Sequence, residues 1–164
     1  AVVRSRGITR AMVAASGDIA IGDAPPNREG WTIGIALIDT PDHGLTKAVL
    51  LKNAAVSTSG DTEQFVEIGG VRYSHIVNPA TGRGLTERTG VTIIARKATT
   101  SDALATAVSV MGTERGLQLT ESLPDVSGLI VMLESGRKQI IESRRFKHVP
   151  RVQLPARPQE QNSK

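Results

Sequence analysis

No cysteine occurs among the 164 residues. Disulfides and thiolate metal sites are therefore excluded, while the redox compartment stays open, because a cysteine-free protein tolerates either one. Aromatic residues are scarce, with one Trp, one Tyr and two Phe, which leaves few flat surfaces on which nucleic-acid bases could stack. No apolar run reaches the roughly 20 residues that a membrane-crossing helix requires, and the opening residues do not show the basic-then-apolar pattern of a secretory leader. A nucleophile elbow, Walker loop, zinc-ligand motif and GxGxxG are all missing from the sequence, so serine-hydrolase and nucleotide-kinase readings have no support.

What is present fits one domain. Apolar residues make up 39% of the chain, enough for a core at this length. The net charge of +4 is not spread over the molecule: up to residue 141 the 14 basic and 14 acidic residues cancel, and from residue 142 six basic residues face two acidic ones. A nucleic-acid surface needs its positive charge on one face of the fold. Charge confined to a tail argues instead for a solvated end and no nucleic-acid partner. With prolines at 150, 155 and 158, residues 149–164 read as a Pro-rich, basic, disordered tail, and residues 1–148 as the domain.

Turn residues divide that domain into many short elements. Residues 1–6 read as the end of a helix stopped by Gly7, a beginning that predicts further chain upstream. "TRAMVAASGDIAIG" reads as one strand interrupted at Ser16-Gly17-Asp18, and "DAPPNREG" and "DTPDHG" as loops around the strand "WTIGIALI". "KAVLLKNAAVSTSG" gives one or two strands. "QFVEIGGVRYSHIV" is a hairpin, because Gly69-Gly70 supplies the positive φ of a tight turn between two alternating runs. "GVTIIA" is a strand apolar enough to be buried on both faces. "TTSDALATAVSVMG" is a helix, capped by Thr100 or Ser101 and ended by Gly112, with "TERGLQLTESL" as a second helix. "SGLIVMLESGRKQIIES" closes as a hairpin around Ser135-Gly136. The order predicts an α+β fold, an antiparallel sheet with helices packed on one face.

Four stretches carry polar groups that could do chemistry. In "SDALATA", Asp102 and Thr106 stand one helical turn apart on one face. A carboxylate and a hydroxyl are hard oxygen ligands of the kind Mg²⁺ accepts beside water and phosphate, although an Asp near a helix N-terminus and a Thr bonded back to a carbonyl give the same pattern. In "AASGDIAIG", Gly17 admits a ligand or another backbone, and Asp18 is a candidate hydrogen-bonding group; a bulge is the ordinary alternative. "VSTSGDTEQF" offers Ser57, Thr58, Ser59, the Gly60 amide and Asp61 as a loop able to bond a phosphate or sugar, or simply to turn. His75 stands on the second strand of the glycine hairpin, sharing one face with Tyr73 and Val77 while Ser74 and Ile76 share the other. Its imidazole can accept a proton or, protonated, steady a phosphate, and a hydrogen-bonded structural histidine is the competing reading.

Taken in order, "GITRAMVAASGDIAIG", "AVSTSGDTEQFVEIGGVRYSHIVNPATGRG" and "VTIIARKATTSDALATAVSVMG" resemble the ApbE-like flavin transferases over nearly the whole domain. The linked pair "YSHIVNPATG" and "SDALATA" carries the likeness. The resemblance implies a Mg²⁺-dependent transfer of FMN from FAD, its substrate, to a Thr or Ser hydroxyl of an acceptor protein, with release of AMP; some relatives act as FAD pyrophosphatases. It implies Asp102 and Thr106 as metal ligands, His75 at the reacting phosphates, Ile76 lining the FAD site, and Asp18, Ser59, Gly60 and Asp61 about the flavin pocket. It further implies redox-driven pump subunits as acceptors and a periplasmic or membrane-anchored extracytoplasmic location. Two departures stand out. Ser16-Gly17-Asp18 replaces the family's Gly-Gly-Asp, and the family's N-terminal half, with much of the flavin pocket and a backbone carbonyl ligand, has no counterpart here. The chain is thus expected to be a C-terminal portion that binds FAD poorly alone, either catalytic or a non-catalytic module binding flavin or a partner.

Overall fold

A computed structural model describes residues 2–38, 45–60, 64–134 and 136–153. The expected turn at residues 39–44, together with Asp61, Ser135 and residues 154–164, lies outside the described residues. The first helical turn, α1 (Val2–Ser5), stops where expected. Gly7 takes a φ of 77°, which lets Ile8 N–H donate to the Val3 carbonyl and Gly7 N–H to that of Arg4, the paired bonds of a Schellman stop.

The next segment departs from expectation. Residues 12–21 form a hairpin of β1 (Met12–Ala15) and β2 (Asp18–Ile21) rather than one broken strand, with Ala15 opposite Asp18. Its two-residue turn forces Ser16 to a φ of 54°, a value at which glycine is usual and serine is not a recognisable signal. Then come β3 (Trp31–Ala36), β4 (Leu45–Leu51) and β5 (Ala55–Gly60). The stretch expected as a phosphate-binding loop is thus strand β5 up to Gly60, because it finds partners on both sides. Strands β6 (Phe65–Ile68) and β7 (Val71–Ser74) make the expected hairpin, with Gly69 and Gly70 both at positive φ. Short strands β8 (Val77–Asn78) and β9 (Arg83–Gly84) pair around the "NPATGRG" turn.

Strand β10 (Arg88–Ala95) leads into α2 (Ala98–Met111) and α3 (Thr113–Ser122), which meet at Gly112, and β11 (Ser127–Glu134) and β12 (Arg137–Glu142) complete the domain. Helix α2 starts earlier than expected, at Ala98, with Lys97 at its N-cap and no side-chain cap. Ser101 is no cap because its hydroxyl donates to the Ala98 carbonyl inside the helix.

Six strands form one antiparallel sheet in the order β1-β2-β5-β10-β11-β12, and period-two alternation splits its side chains between two cores. On one face Val91, Ile93 and Ile130 pack with Ala105 and Val108 of α2. On the other, Val56, Ile94, Leu129 and Val131 pack with Ile33, Ile35 and Val49 of a second sheet. That sheet, ordered β13-β4-β3, includes β13 (Arg151–Val152). The helices lie on one face, as expected, and the second sheet explains why β10 is apolar on both sides. It also corrects the expectation of a disordered tail at its beginning: Val149 packs against the core and Arg151 pairs with Val49, because the free edge of β4 offers bonds that a short extended segment can take.

The two sheets are tied at Glu142 of β12, which accepts hydrogen bonds from Lys47 Nζ of β4 at 2.7 Å and Arg151 Nη2 of β13 at 2.6 Å. Burial alone would raise this carboxyl's pKa, but the hydrogen bonds and charges of Lys47 and Arg151 prevail and hold it below its ordinary 4.5. A lowered folded pKa means that the stabilisation is complete above the unfolded value and is lost as pH falls through the folded one. Thermal midpoints of the parent and Glu142→Gln are therefore expected to differ at pH 7 and to converge under acid. A gap unchanged by pH would show that the ion pairs contribute nothing.

Candidate functional site

Alternation along β5 directs Ser57 and Ser59 to the side of the sheet that α2 covers, and the register places Asp18 of β2 opposite Ser57. Helix α2 lies against β5 and is joined to it by two hydroxyl pairs. Ser57 Oγ is 2.8 Å from Ser101 Oγ in a buried contact, and Ser59 Oγ is 3.2 Å from Thr106 Oγ1 in an exposed one. The buried pair has a definite direction. Ser101 already gives its proton to the Ala98 carbonyl, so Ser57 is its donor.

Asp102 and Thr106 are both exposed on α2, separated by four residues and so by about 6 Å along the helix axis. The Asp102 carboxylate makes no ion pair or hydrogen bond among the described residues. Gly60, the last residue of β5, stands opposite Gly90 and is half-buried. Gly17 resolves the choice between ligand and backbone. A Cβ there would lie 2.8 Å from the Thr58 carbonyl oxygen, and Thr58 N–H donates to the Gly17 carbonyl at 3.0 Å, so the close neighbour is a strand. The structure thus joins Ser59 and Thr106 at one strand–helix seam, with Asp102 on the same helix, Gly60 next in the same strand and Asp18 on the neighbouring strand opposite Ser57. Thr58 points to the opposite face, where its hydroxyl meets Thr92 Oγ1 at 3.0 Å.

His75 is placed differently from expectation. Strand β7 ends at Ser74, and His75 follows it, exposed, where the chain turns toward β8. The strand stops because Ser74 Oγ accepts from Ile76 N–H, while Ser74 N–H and the Ile76 carbonyl both bond to Leu85. Alternation nonetheless survives: Ser74 and Ile76 are buried, and His75 and Val77 are exposed. His75 Nδ1 lies 3.0 Å from the Gln64 carbonyl. A carbonyl only accepts, so Nδ1 carries the proton and Nε2 holds the lone pair of the neutral ring. Among the described residues no hydrogen bond joins His75 to Asp102 or Thr106. Three residues lie between Gly60 and Gln64 in the chain, so these two residues are at most about 14 Å apart.

A hard-oxygen cation fits this donor set. One carboxylate and one hydroxyl on a solvent-open helix face suit Mg²⁺, which keeps several waters and is held by few protein groups plus phosphate oxygens. Among the described residues no group of three or more His, Cys, Asp or Glu is clustered. Separately, a cleft of about 690 Å³ opens at the other end of α2, lined by Tyr73, Asn78, Thr81, Arg83, Glu87 and Met111 among others. None of the candidate site residues Asp18, Ser59, Gly60, His75, Ile76, Asp102 and Thr106 lines it, although Tyr73 and the "NPATG" turn beside His75 do. The Ser57–Ser101 pair also escaped the sequence reading of the site, although the alternation that pairs Ser57 with Ser59 was a usable signal.

Comparison with known proteins places these residues in context. A family model described as the ApbE family matches residues 1–130. The chain is 35% identical over 144 residues to a protein named FAD:protein FMN transferase from Vibrio cholerae serotype O1, covering 86% of this chain and 42% of that protein. It is 36% identical over 112 residues to one from Treponema pallidum, covering 68% of this chain and 31% of that protein. Among solved structures it is similar to the flavin transferase ApbE from Vibrio cholerae, with a TM-score of 0.77 at 31% identity over 90% of this chain and 47% of that one. The ApbE protein of Thermotoga maritima is similar with a TM-score of 0.74 at 34% identity, over 91% of this chain and 50% of that one. The chain therefore spans less than half the length of these curated relatives.

Proposed function

We propose, from the premise that this chain belongs to the ApbE family, that it carries the phosphate-handling part of an enzyme moving FMN from FAD to a Thr or Ser hydroxyl of an acceptor protein. The acceptor oxygen attacks the FMN phosphorus, the bond from that phosphorus to the bridging pyrophosphate oxygen breaks, and AMP leaves with that oxygen. The observation that supports this reading best is the exposed pair Asp102 and Thr106 on α2, with Thr106 in contact with Ser59 of the paired strand β5.

Asp102 and Thr106 would hold Mg²⁺, whose contribution when bound is to neutralise charge spread over the phosphate oxygens. His75 supplies the proton chemistry. With Nδ1–H donated to Gln64 O, the Nε2 of the neutral ring accepts the proton of the attacking hydroxyl, and the resulting cation donates to a phosphate oxygen. Asp18, Ser59, Gly60 and Asp61 remain the candidates for flavin contacts, with Ile76 behind His75. Redox-driven pump subunits as acceptors, and a periplasmic or membrane-anchored location, rest on family likeness alone.

A second reading is that the chain binds flavin nucleotide or a partner without turnover. Calorimetric titration of FAD with and without Mg²⁺ separates the two, followed by analysis of products formed with a Thr-containing acceptor peptide. Metal-dependent binding, with FMN on the peptide, AMP in solution, and loss of both products in His75→Ala, is the expected result. Free FMN in place of the peptide adduct would mark a pyrophosphatase. Binding indifferent to Mg²⁺ would overturn the catalytic reading.

A further inference from the structure

Hydroxyls on helices usually return their proton to a carbonyl in the preceding turn, and this protein follows that habit at Ser101, Ser109 and Thr120, which donate to the carbonyls of Ala98, Ala105 and Gly116. Thr106 does not. Among the described residues its hydrogen-bond partner is Ser59 Oγ, across the strand–helix seam at 3.2 Å.

We propose that Ser59 is a positioning residue for a cation held by Asp102 and Thr106, accepting the Thr106 hydroxyl proton so that the lone pairs of Thr106 Oγ1 are left for the cation. A hydroxyl has one proton and two lone pairs. An oxygen that ligates a cation must turn its proton away, and the proton needs an acceptor on the far side. Ser59 Oγ is that acceptor here. Were Thr106 bonded back to the Asp102 carbonyl instead, its rotamer would be set by the helix alone, with no reference to the sheet.

The acceptor is rigidly placed. Ser59 sits in the β5–β10 ladder opposite Val91, and the buried Ser57–Ser101 pair fixes the helix one step away. From Ser57 to Ser59 the strand advances about 6.7 Å, and from Ser101 to Thr106 the helix advances about 7.5 Å. The two hydroxyl pairs therefore join the same strand and helix at two points, the buried one holding the helix and the exposed one orienting a ligand. Groups that orient a metal ligand in this way commonly set affinity by 10–100-fold. This gives Ser59 a task beyond flavin contact, and it rests on the cation role proposed for Asp102 and Thr106.

The test is Mn²⁺ binding to the full chain, followed by the loss of the free-ion electron paramagnetic resonance signal. Ser59→Ala is expected to weaken binding about 10–100-fold, and Ser59→Thr, which returns a hydroxyl and suits a strand, to restore most of it. Thr92→Val breaks the Thr58–Thr92 contact on the opposite face, and is expected to cost stability without changing the affinity of the folded protein. Parent-like binding in Ser59→Ala, with binding lost in Asp102→Ala, would overturn the Ser59 role and leave the cation site standing. No Mn²⁺ binding by the parent, or undiminished binding in Asp102→Ala, would overturn both.

Discussion

Asp102→Ala is expected, on the function proposed above, to abolish the Mg²⁺-dependent part of FAD binding and to cut FMN transfer by about 10²–10³-fold or more, the scale of losing one group that stabilises transition-state charge. Its effect on folding should be small and of the opposite sign. Asp102 is exposed in the body of α2 and its side chain makes no hydrogen bond or ion pair among the described residues, and alanine is the better helix former by a few tenths of a kcal/mol. A variant that is at least as stable as its parent and yet inert would mark a carboxylate kept for binding, since a helix gains nothing else from it. Urea unfolding alongside FAD titration gives both readouts on one sample. Retention of metal-dependent FAD binding in Asp102→Ala would remove the cation from this face.

The parts of the fold legible in the sequence are those in which a local rule decides. Gly69-Gly70 could be read as a turn because both residues need positive φ, and Gly112 as a helix end for the same reason. The spacing of Asp102 and Thr106 put them on one face of a helix whatever the helix packed against. What escaped was settled by distant partners. Ser16 turns the chain although serine is an unusual residue at a φ of 54°, because pairing of β1 with β2 and of β2 with β5 requires it there. The Ser/Thr/Gly cluster at residues 57–60 looks like a polar loop until β2 and β10 claim backbone groups of this strand on both sides. The second sheet gave no signal of its own, since β13 is two residues long and exists only beside β4. Family resemblance named His75, Asp102 and Thr106 together, yet the hydroxyl rungs that seat α2 on β5 join residues more than 40 apart in the chain.

Those rungs belong to one of two separate cores, and this division yields the largest stability effect expected of a single side chain. Phe146, in the 3-10 turn Phe146–His148, is 0% exposed and fills the core between the two sheets. It is one of four aromatic residues in the chain, and it shares its core cluster with the aliphatic residues Leu129, Val131 and Ile35. Phe146→Ala should therefore cost about 3–5 kcal/mol, transfer and cavity together. Phe65→Ala makes the same chemical change at a site 44% exposed, where the ring's specific neighbour is the Arg72 guanidinium over its face, so a loss nearer 1 kcal/mol is expected. Equal losses in urea unfolding would mean that the sheet–sheet core does not carry the stability its burial implies. Because α2 and the Ser57–Ser101 and Ser59–Thr106 pairs lie across the central sheet from Phe146, the same variant should bind Mn²⁺ as the parent does whenever it is folded. A change in affinity would show instead that the central sheet transmits strain from one core to the other, and that the cation site is tuned from behind.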